Sequence, residues 1–174
     1  MNYNVKAAIG EDKKIFIGGI TAYSNLYFAP KNVHEFIKSP NMKINEKDQD
    51  FAIYRPVSVR TEEEEREINV PVVSIECKTY IDKTMLEGSI ATAEKIKNGN
   101  PYCLYLVATE RYAVSYDVDP AYSRIDQIYV FRKCYSDNPI DYHVVNAFFN
   151  HVKLHLKRDW SNIEKKLTNE GKIL

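Results

Sequence analysis

Three consecutive stretches constrain this chain more than anything else in it. Val70 to Tyr80 is an apolar run with strand character. Leu86, Ile90, Ala93 and Lys97 then recur at helical spacing behind a Thr84-Met85-Leu86-Glu87 capping pattern, up to an Asn98-Gly99 stop. Pro101 introduces Tyr102 to Ala108, apolar throughout, as expected of a strand covered on both faces. Strand, helix and buried strand so closely spaced form a βαβ unit, and its two strands must run parallel with a right-handed crossover.

The first of these strands carries an anomaly. Val72, Val73, Ile75 and Cys77 mark it as buried, yet Glu76 and Lys78 sit inside it. Side chains two apart on a strand share a face, so a carboxylate and an ammonium stand together, with Ile75 and Cys77 turned the other way. Charge taken from water costs several kcal/mol per ion unless it is paired or binds a metal. Chemistry is one reason to accept that cost.

Around this centre the spacing predicts a short strand at Ile15-Phe16-Ile17 ending in a turn at Gly18-Gly19. A Tyr- and Asn-rich contact loop follows from Ala22 to Pro30, then a short helix from Lys31 to Lys38 burying Val33, Phe36 and Ile37. Asp50 heads a strand through Pro56 whose core face is Phe51 and Ile53, which puts Asp50 on the opposite face. The charge run from Glu62 to Glu67 reads as a solvated connection, and Ile125 to Lys133 as a further strand. Val145, Phe148, Phe149, Val152 and Leu156, continued by Trp160, Ile163 and Leu167, give one long closing helix or two with a joint near Asp159 to Ser161.

At 174 residues, with 44% apolar and 12% aromatic content, the chain is expected to form a single domain with one sizeable core. Basic and acidic residues balance at 24 each, so any polyanion site must be local. Cys77, Cys103 and Cys134 each lie in an apolar run with no CxxC spacing and read as reduced core residues. No apolar run approaches the roughly 20 residues of a membrane span, and the opening Met-Asn-Tyr-Asn-Val-Lys lacks a signal-peptide core. A soluble, cytoplasmic protein is expected.

If the strands of Asp50 and Glu76 pair as an antiparallel hairpin, the two carboxylates stand about 5 Å apart and can share a cation. Hard divalent metals such as Mg2+ are held by one or two carboxylates plus water and substrate phosphate. Lys78 would lie beside the ion, placed to act on an attacking water or to neutralise a phosphorane-like transition state.

Asp50 with its apolar strand, then Val73-Ser74-Ile75-Glu76-Cys77-Lys78, then a helix and a second buried strand, resembles the core of the PD-(D/E)xK nuclease superfamily found in many type II restriction endonucleases. The resemblance spans about residues 31–132 and four motif positions. It implies an α/β domain with a restriction-endonuclease-like core, a mixed central sheet flanked by helices, and a C-terminal helical segment at about 141–170. It also implies a Mg2+-dependent DNA endonuclease, with Mn2+ as a substitute ion, acting on double-stranded DNA as a homodimer or heterodimer. Asp50 and Glu76 would be the metal ligands with the backbone carbonyl of Cys77 as a third, Lys78 the catalytic lysine, and Glu35 an additional catalytic carboxylate on the preceding helix. Gln49 departs from the pattern, which often has proline there. Another nuclease of the superfamily, of phage, repair or junction-resolving type, and a catalytically inactive DNA-binding or assembly module are the alternatives.

Glu11-Asp12-Lys13 and Glu164-Lys165-Lys166 repeat the E-x-K spacing, but no apolar strand precedes either. Asp48 rivals Asp50 but lacks the apolar strand immediately after it. His151 and His155, among Lys153, Lys157 and Arg158, read as an exposed basic helix face. Asp117 and Asp119 beside Pro120 read as turn formers. Asn25 and Tyr27, and Arg124, Arg132 and Lys133 flanking the last strand, are candidate DNA contacts, since Arg and Asn can read guanine and adenine edges bidentately.

Overall fold

The structure, a computed structural model, describes residues 14–61, 65–133, 137–160 and 162–173. A five-stranded sheet in the order β1-β2-β3-β4-β5 forms its centre. The strands are β1 (Phe16–Phe28), β2 (Met42–Arg60), β3 (Glu65–Ile81), β4 (Leu104–Tyr112) and β5 (Gln127–Val130). β2 pairs antiparallel with β1 and β3, β4 pairs parallel with β3 and β5, and β1 meets β3 in a parallel bridge at Ala22–Asn69, so the sheet is mixed as expected. The helices are α1 (Val33–Lys38), α2 (Lys83–Gly99), α3 (Tyr142–Lys157) and α4 (Ile163–Glu170).

The βαβ unit is present as β3-α2-β4. Its helix is capped by Asp82, whose carboxylate accepts the Met85 N–H, so the cap falls two residues before the expected Thr84. β4 explains its unbroken apolar run by serving two cores. Leu104, Leu106 and Ala108 face Ile53, Val73, Ile75 and the α3 residues Phe148 and Val152. Tyr105 and Val107 face Ile81 and the α2 residues Leu86, Ala93 and Ile96.

Several expectations are corrected. Gly18-Gly19 forms no turn, and the expected loop from Ala22 is strand, because β1 runs unbroken from Phe16 to Phe28 and buries Ala22 in the α2-side core. Asp50 does not head its strand, since β2 already starts at Met42, and Glu65 to Glu67 are strand too, while residues 62–64 of the charge run lie outside the described residues. α1 does not bury Val33, Phe36 and Ile37. It forms the connection that closes the β1–β2 hairpin beyond the Phe28–Met42 pair, outside both cores, and all three are exposed. Cys103 is buried, but Cys77 is exposed, since α3 covers this face of β3 at Val73 and Ile75 and not beyond. Cys134 and the Glu11-Asp12-Lys13 repeat lie outside the described residues.

His155 is also corrected. Only 3% exposed, it stacks on Trp160 and its Nε2–H donates to the Val72 carbonyl at 3.2 Å. Val72 is the extra residue of β3 where Ile53 pairs Val73 and Tyr54 pairs Pro71, and a bulge leaves such a carbonyl available to a side chain. His151 meets the Tyr129 hydroxyl at 3.0 Å. Asp117 accepts from the Ser115 hydroxyl and Asp119 from the Ala121 N–H, so both shape the turn before β5.

Candidate active site

The strand alternation that sends Val73 and Ile75 to the α3 side sends Ser74 and Glu76 to the α2 side. There the sheet and α2 enclose a cleft of about 280 Å³ lined by Lys47, Asp48, Gln49, Asp50, Glu76, Lys78, Gly88 and Thr92. The helix wall is built from small residues, and a Cβ added at Gly88 would meet nothing within 4 Å.

Alternation after Ile53 and Phe51 brings Asp50 to this cleft, and a bulge brings Gln49 there as well. Between the pairs Gly18–Ala52 and Ile20–Gln49, β2 takes three steps while β1 takes two, so one residue of β2 is extra. An inserted residue re-aims side chains and interrupts pairing. Here the regular β2–β3 ladder stops at Phe51–Ile75, and the consecutive residues Gln49 and Asp50 both line the cleft. In place of a ladder bond, Asp50 Oδ2 accepts the Cys77 N–H at 2.8 Å. Gly19 lies opposite the bulge, where an added Cβ would sit 3.3 Å from the Asp50 carbonyl oxygen. Gln49, the departure from the expected pattern, is buried and accepts the hydroxyl of the fully buried Ser74, while its Nε2 donates to the Asp48 carbonyl at 2.7 Å. Its side chain thus tethers β2 to β3 beneath Asp50.

Glu76 is the most heavily partnered group. Its Oε1 lies 3.0 Å from Lys78 Nζ, and its Oε2 accepts the Tyr105 hydroxyl at 2.6 Å. Partial burial works to lower the Lys78 pKa, but the hydrogen bond and charge of Glu76 and the charge of Asp50 outweigh it, so the ammonium is held protonated. Burial, then the charge and hydrogen bond of Glu76, push the Tyr105 hydroxyl far up and keep it a neutral donor. Desolvation and the Asp50 carboxylate raise the Cys77 thiol, against Lys78.

Asp50, Glu76 and Lys78 are therefore brought together on one side of the sheet. Asp48 also lines the cleft, but its carboxylate accepts the Thr21 hydroxyl at 2.7 Å, turned to β1. Glu35, in the first turn of α1, does not line the cleft. Arg124 contacts Glu94 at 3.7 Å and Asn98 at 2.8 Å, Arg132 contacts Glu110 at 2.8 Å, and Lys133 contacts Asp141 at 2.5 Å. Asn25 and Tyr27 are on β1, away from the cleft lining, and Tyr27 is exposed. Sequence reasoning missed Lys47, Thr92 and Tyr105. The signal for Tyr105 was available, because a tyrosine inside a buried apolar run needs a partner for its hydroxyl.

Among the described residues no group of three or more His, Cys, Asp or Glu forms a ready-made metal cage. Two hard carboxylates beside open space fit an ion that keeps several waters and takes a substrate phosphate, the usual situation of Mg2+, and not one needing a closed protein shell.

The model of the Bpu10I restriction endonuclease family matches residues 2–136. No curated protein matches the chain. Among solved structures, the native BbvCI A2B2 tetramer aligns with a TM-score of 0.65 and 23% identity, over 82% of this chain and 60% of that one. This chain thus spans 60% of the length of that neighbour, and the likeness is one of fold. No described helix is long and apolar enough to cross a membrane.

Proposed function

The chain belongs to the Bpu10I restriction endonuclease family, and from that premise we propose that it is a Mg2+-dependent endonuclease of double-stranded DNA, of the type II restriction kind, with its active site in the cleft of Asp50, Glu76 and Lys78. One observation carries this reading. The alternation of β2 and of β3 puts two carboxylates and an ammonium on the same wall of one cleft, with Asp50 held by the Cys77 N–H and Glu76 paired to Lys78.

Asp50 and Glu76 would hold the ion, with the Cys77 carbonyl as the third protein ligand. The chemistry the ion supplies when bound is polarisation of the scissile phosphate and acidification of a coordinated water. Lys78 is kept charged and in place by Glu76. Its ammonium orients the attacking water and offsets the negative charge that builds on the phosphorus oxygens. Lys47, on the same rim, offers a second cation to the DNA backbone. Cutting both strands takes two such sites, so the functional unit is a homodimer or heterodimer, in line with the A2B2 assembly of the solved neighbour.

Plasmid cleavage with Mg2+ and with chelator tests the proposal. Discrete fragments are expected only with the metal. Lys78→Ala is expected to bind DNA but not to cut it, and undiminished cutting by that variant would refute the role of the lysine.

A further inference from the structure

Tyr105 is fully buried on β4, between the sheet and α2, and it spends its only hydroxyl proton on Glu76 Oε2 at 2.6 Å. A buried phenol stands in one orientation, fixed here by Ala93 and Ile96 of α2 and by Ile81 of β3 in the same cluster. Thr92, from the helix wall of the cleft, turns its own hydroxyl proton back to the Gly88 carbonyl at 2.9 Å and does not compete for Glu76. Lys78 meanwhile holds Oε1 at 3.0 Å. The carboxylate plane of Glu76 is thereby set from both ends before any ion or DNA arrives.

Resting on the cleft reading above, we infer that Tyr105 is the positioning residue of the metal site, fixing the carboxylate of Glu76 in the orientation that ligates a divalent cation. A hydrogen-bonded partner behind a metal ligand removes its rotamer freedom, and losing such a partner costs 10–100-fold in metal affinity as a rough range. Tyr105 touches neither ion nor substrate, so its effect is on occupancy of the site.

The test is Mn2+ binding to the purified, DNA-free chain, followed by electron paramagnetic resonance, for wild type, Tyr105→Phe and Glu76→Gln. Wild type is expected to bind and Glu76→Gln to bind little. Tyr105→Phe is expected to bind about tenfold or more weakly. Cleavage by Tyr105→Phe is expected to need correspondingly more Mg2+ for half-maximal rate, with the rate at saturating Mg2+ largely restored, a split that simple loosening of the fold would not produce. Equal Mn2+ affinity of wild type and Tyr105→Phe, with Glu76→Gln defective, refutes the role of Tyr105 and leaves the cleft reading standing. Absence of binding by wild type refutes the metal site and the role of Tyr105 together. A second measurement keeps the hydroxyl. With 3-fluorotyrosine placed at position 105, the fluorine resonance is expected to shift on Mg2+ addition and to stay fixed in the Glu76→Gln background. No shift in either overturns the inference.

Discussion

Lowering the pH from 7 to 5 is expected to weaken the fold by about 2 kcal/mol through one side chain, His155. Burial, then the nearby positive charge of Arg158, push its pKa from 6.5 down to about 4, with a smaller downward contribution from His151 and opposition from the Val72 hydrogen bond and Asp126. The geometry accounts for the direction. Nε2–H is already committed to the Val72 carbonyl, and Nδ1 is buried without a hydrogen-bond partner among the described residues, so the second proton enters a site that cannot solvate it. The folded pKa lies below the unfolded one, so the stabilisation is complete above about pH 6.5 and is lost as the pH falls toward 4. The gap between 6.5 and about 4, at about 1.4 kcal/mol per pH unit, caps the loss at about 3.5 kcal/mol. At pH 5 the unfolded imidazole is almost fully protonated and the folded one about one-tenth, which gives the figure of about 2 kcal/mol. Trp160, the single tryptophan, stacks on His155 with ring centroids 5.1 Å apart, so its fluorescence during urea unfolding reports the right region. Carboxylates titrate over the same range, and His155→Gln, which keeps an N–H donor but no titration, isolates the histidine. Its stability should fall between pH 7 and 5 by about 2 kcal/mol less than wild type. Equal losses in the two proteins would refute the reasoning.

Gly99→Ala should destabilise by about 1 to 3 kcal/mol in thermal or urea unfolding, because the new Cβ would lie 1.8 Å from the Ser24 carbonyl oxygen and the end of α2 would have to lift off β1. Under native conditions a thiol reagent should modify Cys77, which is exposed, and spare Cys103, which is buried with its pKa pushed up to about 12, as read by peptide mapping. Asp50→Asn keeps an acceptor for the Cys77 N–H, so its melting temperature should change little while DNA cleavage falls about a hundredfold or more.

Local periodicity was enough to place β3, α2 and β4 and to single out Glu76 and Lys78, because each of those signals is complete within a dozen residues. It failed where the answer lay in a partner far along the chain. Gly18-Gly19 carries turn chemistry, yet both lie within β1, and at Gly19 an added Cβ would crowd the Asp50 carbonyl oxygen at 3.3 Å. Cys77 continues the buried alternation of Val73 and Ile75, and only the placement of α3 decides that cover has ended. His155 looked like one member of a basic helix face until the bulge at Val72 supplied an acceptor for it. Val33, Phe36 and Ile37 have helical spacing and no core to meet, which the pattern of a six-residue helix cannot disclose.

The same contrast explains how the site can exist at all. In a regular ladder Gln49 and Asp50 would point to opposite faces, and a tether beneath the site would leave no carboxylate above it. The extra residue in β2 lets both serve the cleft side. Gln49 anchors to the buried hydroxyl of Ser74, and Asp50 reaches the N–H of Cys77, between Glu76 and Lys78. Interrupting the ladder also makes room for the charged side chains. β3 must pair antiparallel with β2 on one side and parallel with β4 on the other, and its acidic and basic residues need open space where α2 passes over them. Ending the β2 ladder at Ile75 opens that space beside Glu76 while leaving β3 pinned to β4 through Tyr80 and Ile81. The strand that carries the charge thus stays paired to β4 on its other edge, and beside the cleft the extra residue belongs to the strand that supplies Asp50.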